Sequence, residues 1–246
     1  PLSTADPLWP ADATVPLSPS KLETAATCAL RWALEAAGGT AADTTEQSLG
    51  TLVHAVAAAL PDGDEEALAA AVDARWSELE LPEGWVGAAQ RRRAASIVRH
   101  LAAYLRDAGE PVAVERPFTV EVGRVVLRGV VDRLERVVDE DGVPRLRVVD
   151  LKTGKQPVAK GEAQRHPQLG AYQLAVEAGQ FDDLLPDAPD GARSAGAALV
   201  YVGTSQKTFT TRDQPPLAED ADPAWAADLV ADVADAVCRS AVTASA

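Results

Sequence analysis

Residues 125–155 read VVLRGVVDRLERVVDEDGVPRLRVVDLKTGK, and this stretch decides the fold. Two Val-rich apolar runs flank an Asp-Gly turn, an order that predicts an antiparallel β-hairpin. With the turn centred near Asp141, Asp132 lies nine residues before the centre and Asp150 nine residues after it. We therefore expect the two carboxylates to face each other across the hairpin, where opposed Cβ atoms lie about 4.5–5.5 Å apart.

The opposed acids predict a divalent-cation site. Like charges directly opposite destabilise a sheet, and a divalent cation reverses the sign of that interaction. Lys152 lies two residues beyond Asp150 and so shares its face of the strand. Two carboxylates and one ammonium group suit phosphodiester hydrolysis, in which a metal ion polarises the phosphoryl oxygen and lysine stabilises negative charge.

The alternative is a solvated hairpin in which Lys152 pairs with Asp150. The apolar Val-Val that precedes each aspartate favours the site, because burying an unpaired carboxylate is costly.

Two further groups are candidates for the same site. Gly50 lies one helical turn before His54, and a glycine lets a substrate or another backbone approach the helix closely. Imidazole suits Mn²⁺ better than Mg²⁺, so a His/Asp/Asp site accepts both ions. Gln168 and Tyr172 are four residues apart on one helical face. Their functional interpretation is contact with a phosphate backbone or with Lys152; their structural one is the polar edge of a half-buried helix.

The rest of the chain surrounds the hairpin with helices. One helix begins near Ser18 and ends at Gly38, and further helices are predicted over 45–60, 65–81 and 86–108. After the strands come a helix over 167–178, an apolar strand over 195–203 and a last helix from Asp222. The outer face of the helix over 86–108 carries arginines at 91, 92, 93, 99 and 106. This order predicts an α/β fold with a helical N-terminal third.

Composition limits the classes of protein that the chain can be. It has 246 residues, 47% hydrophobic and 24% charged, with a net charge of −14. The acidic balance argues against a freestanding nucleic-acid binder but allows a site where carboxylates gather cations for a phosphate substrate. Two cysteines exclude a disulfide framework and make the cytoplasm the default location. No membrane span or signal peptide is expected, and Pro-rich residues 1–16 are interpreted as a linker from an upstream region.

The motifs together resemble the RecB-like nuclease domain of the PD-(D/E)xK superfamily, over about residues 17–240. Five segments match in the family's order: Leu17-Ser-Pro-Ser-Lys-Leu22, Gly50-x-x-x-His54, Gly129-Val-Val-Asp-Arg133, Val149-Asp-Leu-Lys-Thr-Gly-Lys155 and Gln168-x-x-x-Tyr172. The resemblance implies a central mixed β-sheet flanked by helices, in one domain over 17–246. It also implies the C-terminal nuclease module of a bacterial helicase–nuclease that acts in DNA repair and recombination.

The same resemblance implies a role for each matching residue. The metal ligands would be His54, Asp132, Asp150 and the carbonyl of Leu151, holding Mg²⁺ or Mn²⁺. Lys152 would be the catalytic lysine. Gln168 and Tyr172 would be the auxiliary motif near the DNA, and Glu115 would support the ligands from the preceding strand. The implied activity is a DNA exonuclease. Its implied partners are single-stranded DNA ends and a helicase domain in the same or a partner chain.

The sequence departs from the family pattern in two places. Val131 replaces the proline that names the superfamily. Many relatives hold an iron–sulfur cluster through one cysteine in the first helix and three near the C-terminus. Here Cys28 and Cys238 match two of these positions, and Ala241 stands where a further cysteine would be. We expect no cluster in this chain, and packing of the last helix must then hold the two ends together.

Other functions are weighed against this one. Thr153-Gly-Lys155 lacks the remaining residues of a P-loop, and the chain has neither a His-Glu-x-x-His nor a Gly-x-Ser-x-Gly motif. The main alternative is a nuclease-like module that holds DNA or docks to a helicase partner without cutting, which the charge of −14 favours. An acidic protein-interaction domain with a chance motif is the third. An intact set of catalytic positions favours the active enzyme.

Overall fold

A computed structural model describes residues 10, 13–39, 45–81 and 84–238. Its strands are β1 (Val15–Leu17), β2 (Glu110–Val122), β3 (Val125–Val138), β4 (Pro144–Lys152), β5 (Ser194–Tyr201) and β6 (Thr210–Gln214). Its α-helices are α1 (Pro19–Thr27), α2 (Ala29–Ala36), α3 (Thr45–Ala59), α4 (Glu65–Ala74), α5 (Trp85–Asp107), α6 (Lys160–Ala163), α7 (Pro167–Glu177) and α8 (Trp225–Val237).

The strands form one mixed sheet in the described part of the chain. Its order is β1-β3-β4-β5-β6, and β2 pairs with β3 as well. The pairs β1–β3 and β4–β5 are parallel, whereas β2–β3, β3–β4 and β5–β6 are antiparallel. A long β3 therefore lies between β2 on one side and both β1 and β4 on the other.

The hairpin of β3 and β4 has the register that the sequence predicts. The pairs run from Val138↔Pro144 to Arg133↔Val149, and every pair is symmetric about position 141. Pairing ends one step before Asp132 and Asp150. The two aspartates thus lie where the ladder between β3 and β4 stops, at a point where side chains can reach neighbouring elements.

Helices cover both faces of the sheet, which confirms the predicted central mixed sheet flanked by helices. One core joins the sheet to α1, α7 and α8, around Leu22, Leu169 and Val230. The other joins it to α3, α4 and α5, around Val53, Leu68 and Ile97. None of the helices in the described ranges is long and apolar enough to cross a membrane.

The N-terminal region differs from the sequence prediction in two respects. The predicted single helix is two helices, because Cys28 takes an extended conformation between α1 and α2. Val15 and Pro16, the last two residues of the segment interpreted as a linker, belong to β1; residues 1–9, 11 and 12 lie outside the described ranges, so the linker stays a prediction. The predicted start of α1 is confirmed, because the Ser18 hydroxyl accepts the Lys21 N–H at 3.2 Å and Pro19 follows it.

The last helix packs against the first two. Val237 and the α8-capping residue Cys238 share a core with Leu22 of α1 and Trp32 of α2. This contact is the packing that we expected to hold the two ends of the domain together. Residue 241 lies outside the described ranges.

Candidate metal and catalytic site

Three acidic side chains lie in a row across the middle of the sheet. The pairs Val114↔Arg133 and Arg116↔Val131 place Glu115 of β2 opposite Asp132 of β3. The hairpin register places Asp150 of β4 on the other side of Asp132. Adjacent strands therefore bring together acids that are separated by 17 and 18 positions in the sequence. Such a row is destabilising unless positive charge lies beside it.

Two of these acids converge with a histidine on one side of the site. Donor atoms of His54, Glu115 and Asp132 all lie within 4.8 Å of one another. His54 Nδ1 is 3.4 Å from Asp132 Oδ2, which also accepts the Leu151 N–H at 2.8 Å. The three side chains line a cleft of about 790 Å³, whose other walls are Gln47, Gly50, Thr51, Ala55 and Thr153. The cleft has room for a substrate beside the donors.

The backbone at Glu115 is unusual for a strand. Its φ is 46°, in the left-handed region that residues other than glycine seldom adopt. In a regular strand, residues three positions apart point to opposite faces of the sheet. Val131 and Leu134 of β3 nevertheless belong to the same core, so the alternation of side chains along β3 is interrupted at Asp132. This irregularity allows Asp132 to turn towards His54 while Asp150 keeps other partners. Strained backbone of this kind costs about 1–2 kcal/mol per residue and clusters at functional sites.

Asp150 lies in a second, buried group that contains the predicted catalytic lysine. Asp150 is 4% exposed, and its Oδ2 lies 2.8 Å from Lys152 Nζ. Lys152 donates to Gln168 Oε1 at 2.7 Å, and the Gln168 amide donates to Asp150 Oδ1 at 2.8 Å. The Tyr172 hydroxyl donates to the same Oδ1 at 3.2 Å. The two α7 residues thus fix the positions of the carboxylate and the ammonium group.

The charges in the site change one another's pKa values. Burial and the Asp132 carboxylate raise the pKa of Asp150, although Lys152 opposes them. Burial lowers the pKa of Lys152, but the carboxylates of Asp150, Glu23 and Asp132 together raise it by more, so the net pKa is raised. Burial likewise lowers the pKa of His54, and Asp132, Asp150 and Glu115 raise it further than that. The raised pKa values of Lys152 and His54 report an excess of negative charge around these two groups, whereas the raised pKa of Asp150 comes first from its burial.

This excess is what a divalent cation would balance. Ionised Glu115, Asp132 and Asp150 carry three negative charges, and Lys152 supplies one positive charge while His54 is neutral. Asp150 Oδ2 is buried and accepts no hydrogen bond from the described residues, despite its closeness to Lys152. Oxygen and imidazole donors suit Mg²⁺ and Mn²⁺. The residues present therefore fit a divalent ion.

The structure separates the predicted residues into these two groups. His54 and Asp132 meet, and Glu115, predicted only to support the ligands, lies among the donors. Asp150 is tied to Lys152, Gln168 and Tyr172, so its role as a ligand stays a prediction. The N–H of Leu151 touches Asp132, and the role of its carbonyl stays a prediction as well.

Contact with Lys152 was one of the two functional interpretations of Gln168 and Tyr172. Gln168 makes this contact, whereas Tyr172 contacts Gln168 and Asp150. Gln168 and Tyr172 are 5% and 4% exposed, so their polar groups are directed to Asp150 and Lys152 rather than to the surface. The pairing of Lys152 with Asp150 that the solvated-hairpin alternative predicts is present, but the Asp150 carboxylate is buried and only Lys152 is partly exposed.

Sequence reasoning missed a cationic residue at the same site. Arg93, expected on the outer face of α5, has a side chain only 17% exposed. Its Nη2 donates to the Thr153 carbonyl at 3.1 Å, directly after Lys152. The contact joins residues sixty positions apart. Nothing in the series of arginines along α5 indicates that one of them turns inward.

Comparison with known proteins adds a family. The sequence profile of the PD-(D/E)XK nuclease superfamily matches residues 16–244. No curated protein matches the sequence. One solved structure, described as "Crystal structure of SSO0001", is similar at 15% identity over 93% of this chain and 78% of that chain. Its TM-score of 0.36 is too low to carry an argument.

Proposed function

The chain belongs to the PD-(D/E)XK nuclease superfamily, and on that premise we propose that it is a metal-dependent deoxyribonuclease. The observation that carries this proposal is the row of three carboxylates beside one half-buried ammonium group and one imidazole. A scaffold without catalytic function gains nothing from that charge imbalance. A phosphodiester substrate and a divalent cation give it a use.

Each residue has a defined task in this proposal. His54, Glu115 and Asp132 would hold the ion, with Asp150 completing the negative charge around it. When bound, the ion polarises a phosphoryl oxygen and makes a water molecule more acidic. The Lys152 ammonium donates hydrogen bonds to the negative charge that develops on the phosphate in the transition state.

The α7 residues keep Lys152 ready for that task. Gln168 accepts one hydrogen bond from Lys152 and donates another to Asp150, so the ammonium cannot turn away from the acids. Tyr172 remains a neutral donor, because burial and the nearby Asp150 raise the pKa of its hydroxyl. This fixed arrangement lowers the cost of orienting the charged groups during the reaction.

The finer proposal is a RecB-like exonuclease of a helicase–nuclease that repairs or recombines DNA in the cytoplasm. The five matching motifs in family order support it. The charge of −14 supports a domain that receives single-stranded ends from a motor rather than capturing DNA unaided. The helicase domain would lie in the same chain or in a partner chain, and Mg²⁺ or Mn²⁺ would be the ion.

The test is release of acid-soluble nucleotides from linear and circular single-stranded DNA, with Mn²⁺, Mg²⁺ or EDTA. We expect metal-dependent release from linear DNA, and a loss of at least about 100-fold in Asp150→Asn. Asp62→Asn, an exposed aspartate after α3, is the matched control and should keep full activity. Equal release by wild type and Asp150→Asn refutes the proposal. Cleavage of circles refutes a strict exonuclease, and DNA binding without any release favours the binding-module alternative.

A further inference from the structure

Two cations share one acid at the mouth of the cleft. Arg93 and Lys155 both contact the Glu46 carboxylate; the Lys155 Nζ is 3.1 Å from Glu46 Oε1, and Arg93 Nη1 forms an ion pair with the same oxygen. Glu46 lies in the first turn of α3, and its side chain is 55% exposed. The neighbouring residue Gln47 lines the cleft itself. The group therefore sits beside the site without belonging to the catalytic residues.

Close packing around Thr153 holds Arg93 near Lys152, and the chain itself keeps Lys155 near. Arg93 holds the Thr153 carbonyl at 3.1 Å. A Cβ atom on Gly50 would lie 2.9 Å from Thr153 Oγ1, and one on Gly203 would collide with the Thr153 carbonyl. Both glycines thus let α3 and the end of β5 press against this residue. Lys155 follows Lys152 by three residues, a span of at most about 11 Å.

The chemistry of the pair matches a phosphate better than it matches a single carboxylate. A guanidinium and an ammonium bring two positive charges to one exposed negative group. The Arg93 Nε is buried and has no hydrogen-bond partner among the described residues, so the guanidinium uses only its two terminal nitrogens. Arginine and lysine are the usual partners of backbone phosphates, through charge-assisted hydrogen bonds.

We propose that Arg93 and Lys155 bind a backbone phosphate of the DNA strand close to the scissile bond, and that Glu46 occupies this position in the free protein. The proposal rests on the proposed nuclease function and deepens it by naming a phosphate subsite. Glu46 competes with the incoming strand, so free DNA binds weakly. A strand delivered at high local concentration displaces Glu46 and engages both cations.

The test measures binding of a fluorescein-labelled single-stranded 20-mer in EDTA, by anisotropy at several salt concentrations. Glu46→Gln should bind at least about threefold more tightly than wild type, because the competing charge is gone. Lys155→Ala should bind more weakly, and the slope of log K against log salt should fall by about 0.7 for the lost phosphate contact. Glu35→Gln is the matched control. Glu35 lies on α2 and also pairs with two cations, Lys21 of α1 and Arg31 of α2.

The outcomes separate a phosphate subsite from a structural tie. Equal affinity of Glu46→Gln and Glu35→Gln overturns the proposal, because the gain would then come from net charge alone. Weaker binding by Glu46→Gln, together with a lower Tm, also overturns it and makes Glu46 a tie between α3 and α5. Because binding is measured without turnover, a protein that binds as proposed and cuts nothing refutes only the nuclease activity.

Discussion

The sheet carries two buried polar clusters side by side, and they serve different ends. The catalytic cluster, named for the role that we propose for it, consists of Asp132, Asp150, Lys152, Gln168 and Tyr172. The scaffold cluster consists of Tyr104, Arg133, Glu135 and Arg147. In each cluster a tyrosine hydroxyl donates a hydrogen bond to a buried carboxylate: Tyr172 donates to Asp150 at 3.2 Å, and Tyr104 donates to Glu135 at 2.6 Å. Each places a cation against that carboxylate, at 2.8 Å in both clusters.

The clusters differ in the balance of charge. In the scaffold cluster two guanidinium groups face one carboxylate, and Arg133 also donates to the carbonyls of Pro61 and Gly109. In the catalytic cluster one ammonium group faces two carboxylates, Asp132 and Asp150. Both clusters leave one carboxylate oxygen without a hydrogen bond, Asp150 Oδ2 and Glu135 Oε2. An unsatisfied oxygen therefore does not identify a metal site by itself. The metal site that we propose rests on the unbalanced negative charge beside an open cleft.

The largest expected effect is on catalysis and confined to the catalytic cluster. Lys152→Met should lower the cleavage rate by about 100- to 1000-fold, because it removes the donor to the transition-state charge. The measurement is the initial rate of nucleotide release with Mn²⁺, per folded molecule. Lys160→Met, an exposed lysine at the start of α6, is the control. A Lys152→Met rate close to that of wild type would remove this residue from catalysis.

The scaffold cluster should show the reverse response, a loss of stability rather than of chemistry. Arg133→Met leaves Glu135 buried beside a weaker partner and should lower the free energy of unfolding by about 3–5 kcal/mol. Arg128→Met, on an exposed position of the same strand, should change it by less than about 0.5 kcal/mol. Denaturant midpoints measure both values. If Arg133→Met were as stable as wild type, the scaffold cluster would not be the one that stabilises the fold.

The features that sequence could predict are local ones. The register of β3 and β4 follows from one turn, so the sequence placed Asp132 and Asp150 correctly about position 141. Helix spacing placed Gln168 and Tyr172 on one face. The scaffold cluster gave no such signal, because Tyr104 and Glu135 meet only when α5 packs on the sheet.

The remaining features depend on tertiary structure. The left-handed backbone of Glu115 cannot be read from Val114-Glu115-Arg116, which has the pattern of an ordinary strand. The inward turn of Arg93 depends on where Thr153 comes to lie. The break at Cys28 has no local signal in the sequence, since no proline or glycine stands there. Propensity and periodicity describe a segment, and these contacts join distant segments.

Substitutions at Glu115 should separate metal binding from strain. In metal-free protein Glu115→Gly should be about 1 kcal/mol more stable than Glu115→Ala, because glycine tolerates a φ of 46°. Saturating Mn²⁺ should stabilise wild type by about 2.7 kcal/mol at 100 times Kd, and both variants by less. Calorimetric unfolding with and without Mn²⁺ measures both effects.

The control for Glu115 is Glu121, an exposed glutamate on the same strand with ordinary backbone. There the order should reverse, since glycine in a strand is about 0.5–1 kcal/mol less stable than alanine. Glu121 variants should also keep the full response to Mn²⁺. A full response in the Glu115 variants would exclude this residue from the donors.

The smallest expected effect is the contribution of His54 to the dependence of stability on pH. Burial lowers the pKa of His54, but its acidic neighbours raise it further, so the folded pKa lies above the ordinary value of 6.5. In metal-free protein the stability that His54 contributes is therefore complete below pH 6.5 and is lost as the pH rises through the folded pKa. The difference in Tm between wild type and His54→Gln should shrink over that window.

Mn²⁺ should invert this dependence, because only the neutral imidazole binds a metal ion. The rise in Tm caused by Mn²⁺ should grow with pH over the same window in wild type and stay flat in His54→Gln. The scaffold cluster supplies the control, since burial and Glu135 raise the pKa of Tyr104 above its ordinary value of 10.0, so Tyr104 does not titrate there. Tyr104→Phe should then keep the wild-type pH profile in both conditions. If wild type and His54→Gln had the same pH profile, the neighbouring acids would not raise the pKa of His54.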